Sequence, residues 1–223
     1  MVKGNSQQPR RAIIFDLDGT LVDAYAAVVA SVNHTLKSLG LPTKSALVIK
    51  RAVGGGDRHL MVQFVGEDLA DKAIRLYRVH HAQALIKGVK FLPGAKQLLV
   101  QLKAQGFLLA IASNRPTRFT KIILAVLGVR DSFDMVLCAD KAPKPKPYPD
   151  MLLMIAKRLN LQKKNIIYVG DMTIDVHTGR RAGIKTIAVV TGSSTRKELK
   201  ALKPEAIIAR ISQLKALINK SHP

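Results

Sequence analysis

The chain has 223 residues and carries 36 Lys plus Arg against 15 Asp plus Glu, a formal net charge of +21. That length suffices for a sizeable core in one or two domains, and a hydrophobic content of 48% is ordinary for a globular protein. No apolar run reaches the ~18 residues needed to cross a bilayer, and the opening segment Met1 to Arg10 lacks the apolar core of a signal peptide. A cytoplasmic protein with no membrane partner is therefore expected. Cys138 is the only cysteine, which excludes an internal disulfide. It lies in the apolar run Met135 to Ala139, where burial in a strand is expected rather than thiol chemistry. A positive surface speeds the arrival of anionic substrates and permits salt-sensitive contact with nucleic acid. The basic residues are scattered, aromatics make up only 4% and there is no Trp. The stacking platform of a single-strand binder is missing, so no specific nucleic-acid partner is expected.

Residues 11 to 15 predict a first strand. Residues 24 to 90 hold no convincing strand: 24 to 39 predict a helix stopped by Gly40 and Pro42, and 44 to 52, 57 to 65 and 67 to 87 predict further helices. From Phe91-Leu92-Pro93-Gly94 onward, helix and strand alternate. Strands are expected at 107 to 112, 134 to 138, 165 to 169, 185 to 190 and 205 to 209. Helices are expected at 94 to 104, 116 to 127, 149 to 159, 173 to 182, 195 to 201 and 211 to 219. The strands are rich in Ile, Val, Leu and Ala, as strands buried on both faces should be. The pattern predicts an α/β fold with a doubly wound, mostly parallel sheet. The organisation expected is a core domain of residues 10–23 and 91–223, interrupted by a helical domain of residues 24–90.

The chemistry begins in Ile13-Ile14-Phe15-Asp16-Leu17-Asp18-Gly19-Thr20. Side chains alternate along a strand, so in extended chain Asp16 and Asp18 point the same way. Two carboxylates held together repel unless a cation or a shared proton relieves them, and Mg²⁺ suits such a site because it takes oxygen ligands and leaves room for water and phosphate. Ser113 and Asp171 also follow directly on expected strands, and ligands of parallel α/β sheets bind outside the carboxyl ends of the strands. The Pro-rich segment Ala142 to Pro149 would hold an extended loop and aim a lysine. The Ser113-Asn114 pair reads equally as a helix cap, a role compatible with holding phosphate at a helix N-terminus.

These residues fall in four motifs that resemble, in order, those of the haloacid dehalogenase-like hydrolases in their phosphatase form. The resemblance spans nearly the whole chain, and residues 24 to 90 are similar in position and size to the small helical cap of the phosphoglycolate phosphatase-like branch. It implies Asp16 as nucleophile and Asp18 as general acid/base. It implies Ser113, with Asn114, and Lys146 as ligands of the phosphoryl group. Mg²⁺ would be held by Asp16, Asp171 and the backbone carbonyl of Asp18, with Asp175 and Thr20 behind them. Lys144-Pro145 and Lys146-Pro147 both fit the third motif locally; Lys146 is preferred because it stands 25 residues before Asp171, a spacing that fits the family. Met172 and Ala24 depart from the family pattern, where hydroxyl residues are frequent, without removing a catalytic group. The carboxylate of Asp18 argues against the dehalogenases and phosphonate hydrolases of the same superfamily. Gly54-Gly55-Gly56-Asp57-Arg58 reads either as a flexible turn or as a cap loop in which Gly55 exposes backbone and Arg58 meets a substrate carboxylate. His80 and His81 are expected to be structural. The implied activity is hydrolysis of a small anionic phosphorylated metabolite, with 2-phosphoglycolate the best single substrate. A phosphosugar mutase, or a basic nucleic-acid-associated protein with a vestigial site, are the rivals. A monomer and a homodimer are equally compatible with the sequence.

Overall fold

The computed structural model describes residues 10–220. The expected N-terminal tail, residues 1–9, and the last three residues of the expected core domain lie outside them. All six expected strands form: β1 (Ala12–Phe15), β4 (Leu108–Ser113), β5 (Met135–Cys138), β6 (Ile166–Gly170), β7 (Lys185–Val189) and β8 (Ala206–Ile208). They make one sheet in the order β5-β4-β1-β6-β7-β8, with every neighbouring pair parallel.

Both faces of this sheet are covered, which is why the strands carry apolar residues at most positions. Ile13 and Phe15 of β1, with Leu109 and Ile111 of β4, pack on α4 (Ala95–Ala104), α5 (Thr117–Val126) and α9 (Leu214–Lys220). Ala12, Ile14, Ala110 and Ala112 face the other way, onto α6 (Asp150–Arg158) and α7 (Thr173–Ala182). Ile13 and Phe15 have no exposed surface, and truncating either to Ala would cost roughly 2–5 kcal/mol. A short helix α8 (Arg196–Ala201) precedes β8. β1 lies between β4 and β6, so the winding direction of the sheet changes at its carboxyl end, where a crevice opens. Asp16 is the next residue, and its N–H still bonds the carbonyl of Val169 at 2.8 Å.

The inserted segment is helical, as expected, but two of the expected helices are joined. It comprises α1 (Tyr25–Ser38), α2 (Ala46–Ala52) and α3 (Gly56–Gly88). Inside α3, Gly66 takes φ 75° and ψ 175°, a conformation open to glycine alone, so the helix is broken where the sequence expectation divides it. Val28, Val32 and Leu36 of α1 bury against Ile49 of α2 and Leu60, Ala73, Ile74 and Tyr77 of α3 in a cluster of their own. The sequence reading missed the antiparallel pair of β2 (Val22–Asp23) and β3 (Lys90–Phe91), which sets the two chain crossings side by side. Two-residue strands are too short to show a period.

Candidate active site

Four segments meet at the carboxyl end of β1. A tight turn follows Asp16: the Leu17 carbonyl accepts from the N–H groups of Leu21 and Val22, and Gly19 supplies φ 82°. A Cβ on Gly19 would stand 2.7 Å from Asp171 Oδ2, so the turn and the end of β6 touch through a glycine. The hydroxyl of Thr20 donates to Asp171 Oδ1 at 3.0 Å, and the Ser193 N–H donates to Oδ2 at 3.2 Å. Gly192 leaves no room for a side chain either: a Cβ there would fall 1.5 Å from Asp171 Oδ2.

Lys146 Nζ lies 2.6 Å from Asp16 Oδ1, 2.7 Å from Asp175 Oδ1 and 3.1 Å from the Tyr168 hydroxyl. All four side chains are buried. Tyr168 in turn donates to Asp175 Oδ1 at 2.6 Å, and Asp175 Oδ2 accepts the Met172 N–H at the start of α7. The two candidate lysines are placed differently: Lys146 is buried in this cluster, and Lys144 is exposed, its Nζ over the Tyr148 ring. Asp175 is no surface acid, since its carboxylate joins the lysine to the helix start.

Ser113 lines the pocket at the end of β4, with its Oγ accepting the Arg115 N–H. Asn114 also lines the pocket. Its side-chain amide is engaged, donating to the carbonyls of Gly54 and Lys146 and accepting the Lys146 N–H. That side chain ties the glycine loop and the lysine loop to β4.

Asp18 faces the inserted helices. Arg115 grips it with two parallel bonds, Nε to Oδ2 at 2.7 Å and Nη2 to Oδ1 at 2.8 Å. The third arm of the guanidinium, Nη1, meets His81 Nε2 at 2.6 Å, and His81 Nδ1 meets the Ser31 hydroxyl at 3.1 Å. Burial, and then the Arg115 charge, push the His81 pKa down to about 2, so this ring is neutral. It accepts from Arg115 and donates to Ser31, which donates on to the Ala27 carbonyl. Arg115 escaped the sequence reading, although it directly follows Ser113-Asn114 and extends that motif by one residue. His81 is structural as expected, with the added role of seating Arg115.

Arg58 lies outside the lining of this pocket and borders an adjoining one with Gly55, Gly56 and Asn114. Its guanidinium is engaged by Glu67 and Asp71 at 2.8 and 2.7 Å, on an exposed face of α3. Gly55 also stays outside the lining; it precedes α3 at φ −89°, while Gly54 and Gly56 line the pocket with positive φ. Met172, the departure from the family pattern, lies beneath this loop: a Cβ on Gly54 would approach its Cε to 2.5 Å. The cavity is about 60 Å³, lined on the helical side by Val28, Val53, Asp57, Leu60 and Tyr77.

The electrostatics identify what the cluster lacks. One oxygen each of Asp16, Asp171 and Asp175 lies within 4.8 Å of the others. Burial raises the Asp16 pKa to about 6, with the Asp175 charge adding and Lys146 opposing. Burial, followed by the charges of Asp16 and Asp175, raises Asp171 well above the usual carboxylate range. Three buried carboxylates face a single lysine. A hard divalent cation with oxygen ligands fits this donor set and would relieve the repulsion; among the described residues this is the one such group of metal-ligating side chains.

Known proteins match this chain over most of their length. Residues 13–189 match the family model described as haloacid dehalogenase-like hydrolase. The chain is 34% identical over 209 residues to a Dickeya dadantii protein named "Probable phosphatase IndB", covering 91% of this chain and 90% of that one. It is 30% identical over 209 residues to the phosphoglycolate phosphatase of Aquifex aeolicus, covering 94% and 97%. It is 31% identical over 186 residues to the N-acetylmuramic acid 6-phosphate phosphatase of Pseudomonas putida, covering 82% and 83%. Among solved structures, a Haemophilus somnus protein described as a predicted phosphoglycolate phosphatase superposes with a TM-score of 0.88 at 26% identity, covering 95% of this chain and 99% of that one. This chain belongs to the haloacid dehalogenase-like hydrolase family.

Proposed function

We propose that the site hydrolyses a small phosphomonoester, with 2-phosphoglycolate the first substrate to test. The observation that carries this reading is the buried contact of Asp16 with Lys146 at 2.6 Å beside Asp171, at the open end of β1. A carboxylate is a competent nucleophile towards phosphorus only where cations screen the phosphoryl oxygens. Asp16 attacks and forms an aspartyl phosphate while the bond to the leaving oxygen breaks. Asp18 protonates that oxygen, then removes a proton from the water that cleaves the intermediate. Ser113 and Lys146 hold the phosphoryl oxygens, and Asp175 and Tyr168 hold Lys146. Asp16, Asp171 and the backbone carbonyl of Asp18 would hold Mg²⁺, which would supply the positive charge that lets an anion approach a phosphate dianion.

The partner is then a small anionic metabolite, drawn in by a chain of net charge +21. The cavity of about 60 Å³ favours a leaving group of few atoms. The substrates in the names of the phosphoglycolate and N-acetylmuramic acid 6-phosphate phosphatases share a carboxylate on the leaving part. Among the described residues no helix is long and apolar enough to cross a membrane, and a cytoplasmic site of action fits such a substrate. Neither mutase-type phosphoryl transfer nor a vestigial nucleic-acid-binding site gains an observation in its favour. The test is a panel of phosphorylated metabolites assayed for phosphate release with Mg²⁺. Release from 2-phosphoglycolate is expected; no release from any phosphomonoester would end the proposal.

A further inference from the structure

We infer that Arg115 determines specificity by exchanging carboxylates: an acidic group on the leaving part of the substrate takes the place of Asp18 on the guanidinium. The inference rests on the phosphatase reading and names a substrate class within it, phosphomonoesters with a carboxylate close to the bridging oxygen.

Three observations lead there. First, Lys146 and Arg115 are the cations that line the pocket, and Lys146 is already shared by Asp16 and Asp175. Arg115 alone is available to the leaving group. Second, its partners are unequal. His81 accepts one N–H as a neutral ring, which holds the guanidinium in place without neutralising it. The charge is balanced by Asp18 alone, through a two-point carboxylate grip at 2.7 and 2.8 Å. An incoming carboxylate has the same shape and charge, so it fits the same two-point grip. Third, the rest of the helical wall presents Val28, Val53, Leu60 and Tyr77, and its charged side chain, Asp57, is an acid paired with Arg78. No cation on that wall competes with Arg115 for an acid on the leaving group.

Once exchanged, the acid of the substrate holds the leaving group against Arg115 while the P–O bond breaks and the bond to Asp16 forms, so the contact acts on kcat and not only on binding.

The test is a cycle of 2-phosphoglycolate against its uncharged amide, on wild-type protein with Mg²⁺ and on Arg115→Met. Wild type should prefer the acid by roughly 10- to 100-fold in kcat/KM, the worth of a charge-assisted pair, with most of the difference in kcat. In Arg115→Met this preference should collapse towards one, and Arg115→Lys, which keeps the charge but loses the fork, should fall between. A merely structural arginine would lower both substrates alike and leave the preference intact, which would overturn the inference. Should Arg115→Met fail to fold, the wild-type comparison still decides, because equal rates on acid and amide would overturn it. Wild type that releases phosphate from an uncharged aryl phosphate without any preference for acids sinks the exchange alone. Wild type that releases none from any ester sinks the phosphatase reading with it.

Discussion

The two walls of the pocket are built on opposite principles. The sheet wall is polar and over-connected: Asp16, Lys146, Asp175 and Tyr168 are buried and share one set of hydrogen bonds. No member can move without leaving a buried charge or hydroxyl unpaired. The helical wall is mostly apolar, with Asp57 its charged exception, has its own packed cluster, and meets the sheet wall through a few polar ties. Asn114 holds the Gly54 carbonyl, Arg115 meets His81, and Arg51 reaches Glu198 and the Ser193 carbonyl. Two of those ties end on residues next to the chemistry, since Ser193 also holds Asp171 and Arg115 holds Asp18. Rigid chemistry sits on one side, and adjustable recognition faces it on the other.

The difference is broken most severely at the nucleophile. Asp16→Asn should lower turnover by at least about 10³-fold while circular dichroism shows the fold retained; near-wild-type phosphate release would remove Asp16 from the mechanism. Chelation comes next. Dialysis against EDTA should abolish activity and added Mg²⁺ should restore it, and full activity after exhaustive chelation would contradict the reading of the carboxylate cluster. Lys146→Met strips the only cation from three buried carboxylates and should destabilise the metal-free protein by roughly 3–5 kcal/mol in urea titrations. A smaller loss in Mg²⁺ than in EDTA would locate the defect in that cluster.

A gentler probe is pH. The Asp16 pKa rises from 3.8 to about 6 on folding. Between those values the folded chain binds more protons than the unfolded one. The contribution of Asp16 to the stability of the metal-free protein is therefore full below about pH 4 and lost as pH climbs through 6. Mg²⁺ should flatten that slope, and a slope of the opposite sign would mean that Asp16 is not pushed upward. The smallest effect belongs to Arg58→Ala on the helical side. Its ion pairs are exposed and worth about 0–1 kcal/mol, so stability should barely change and the preference for acidic substrates should stay. Loss of that preference would return Arg58 to the site.

What the sequence discloses follows the same division. The sheet wall is legible because its residues sit at strand ends, where an apolar run stops at an acid or a hydroxyl: Asp16, Ser113 and Asp171 each mark such a stop. Asp175 and Lys146 come within reach through one helical turn and one Pro-rich loop. The helical wall is not legible in this way. Arg58 and Arg115 are both arginines near a glycine- or asparagine-bearing turn, and nothing in their spacing says which one turns inward. Tertiary packing decides it: α3 directs Arg58 to Glu67 and Asp71 across the Gly66 kink, while His81, two turns from the end of the same helix, reaches back to Arg115. Asn114 is legible only in part for a related reason. A polar side chain after a strand announces a bond to be made, and here two loop carbonyls and an N–H take it up.

The pairing of β2 with β3 has a consequence for how such a protein diversifies. Val22 lies opposite Phe91 and Asp23 opposite Lys90, so the chain leaves the sheet and returns to it at one point. Everything between, residues 24 to 89, hangs from a single two-strand stem. A segment whose ends are already adjacent can be lengthened, shortened or replaced without moving β1 or shifting the register of the six-stranded sheet, because closing a longer loop costs only slowly more entropy. The catalytic end of β1 is thus insulated from the history of the helices above it, and substrate range can be rewritten by grafting while the reaction stays as it is.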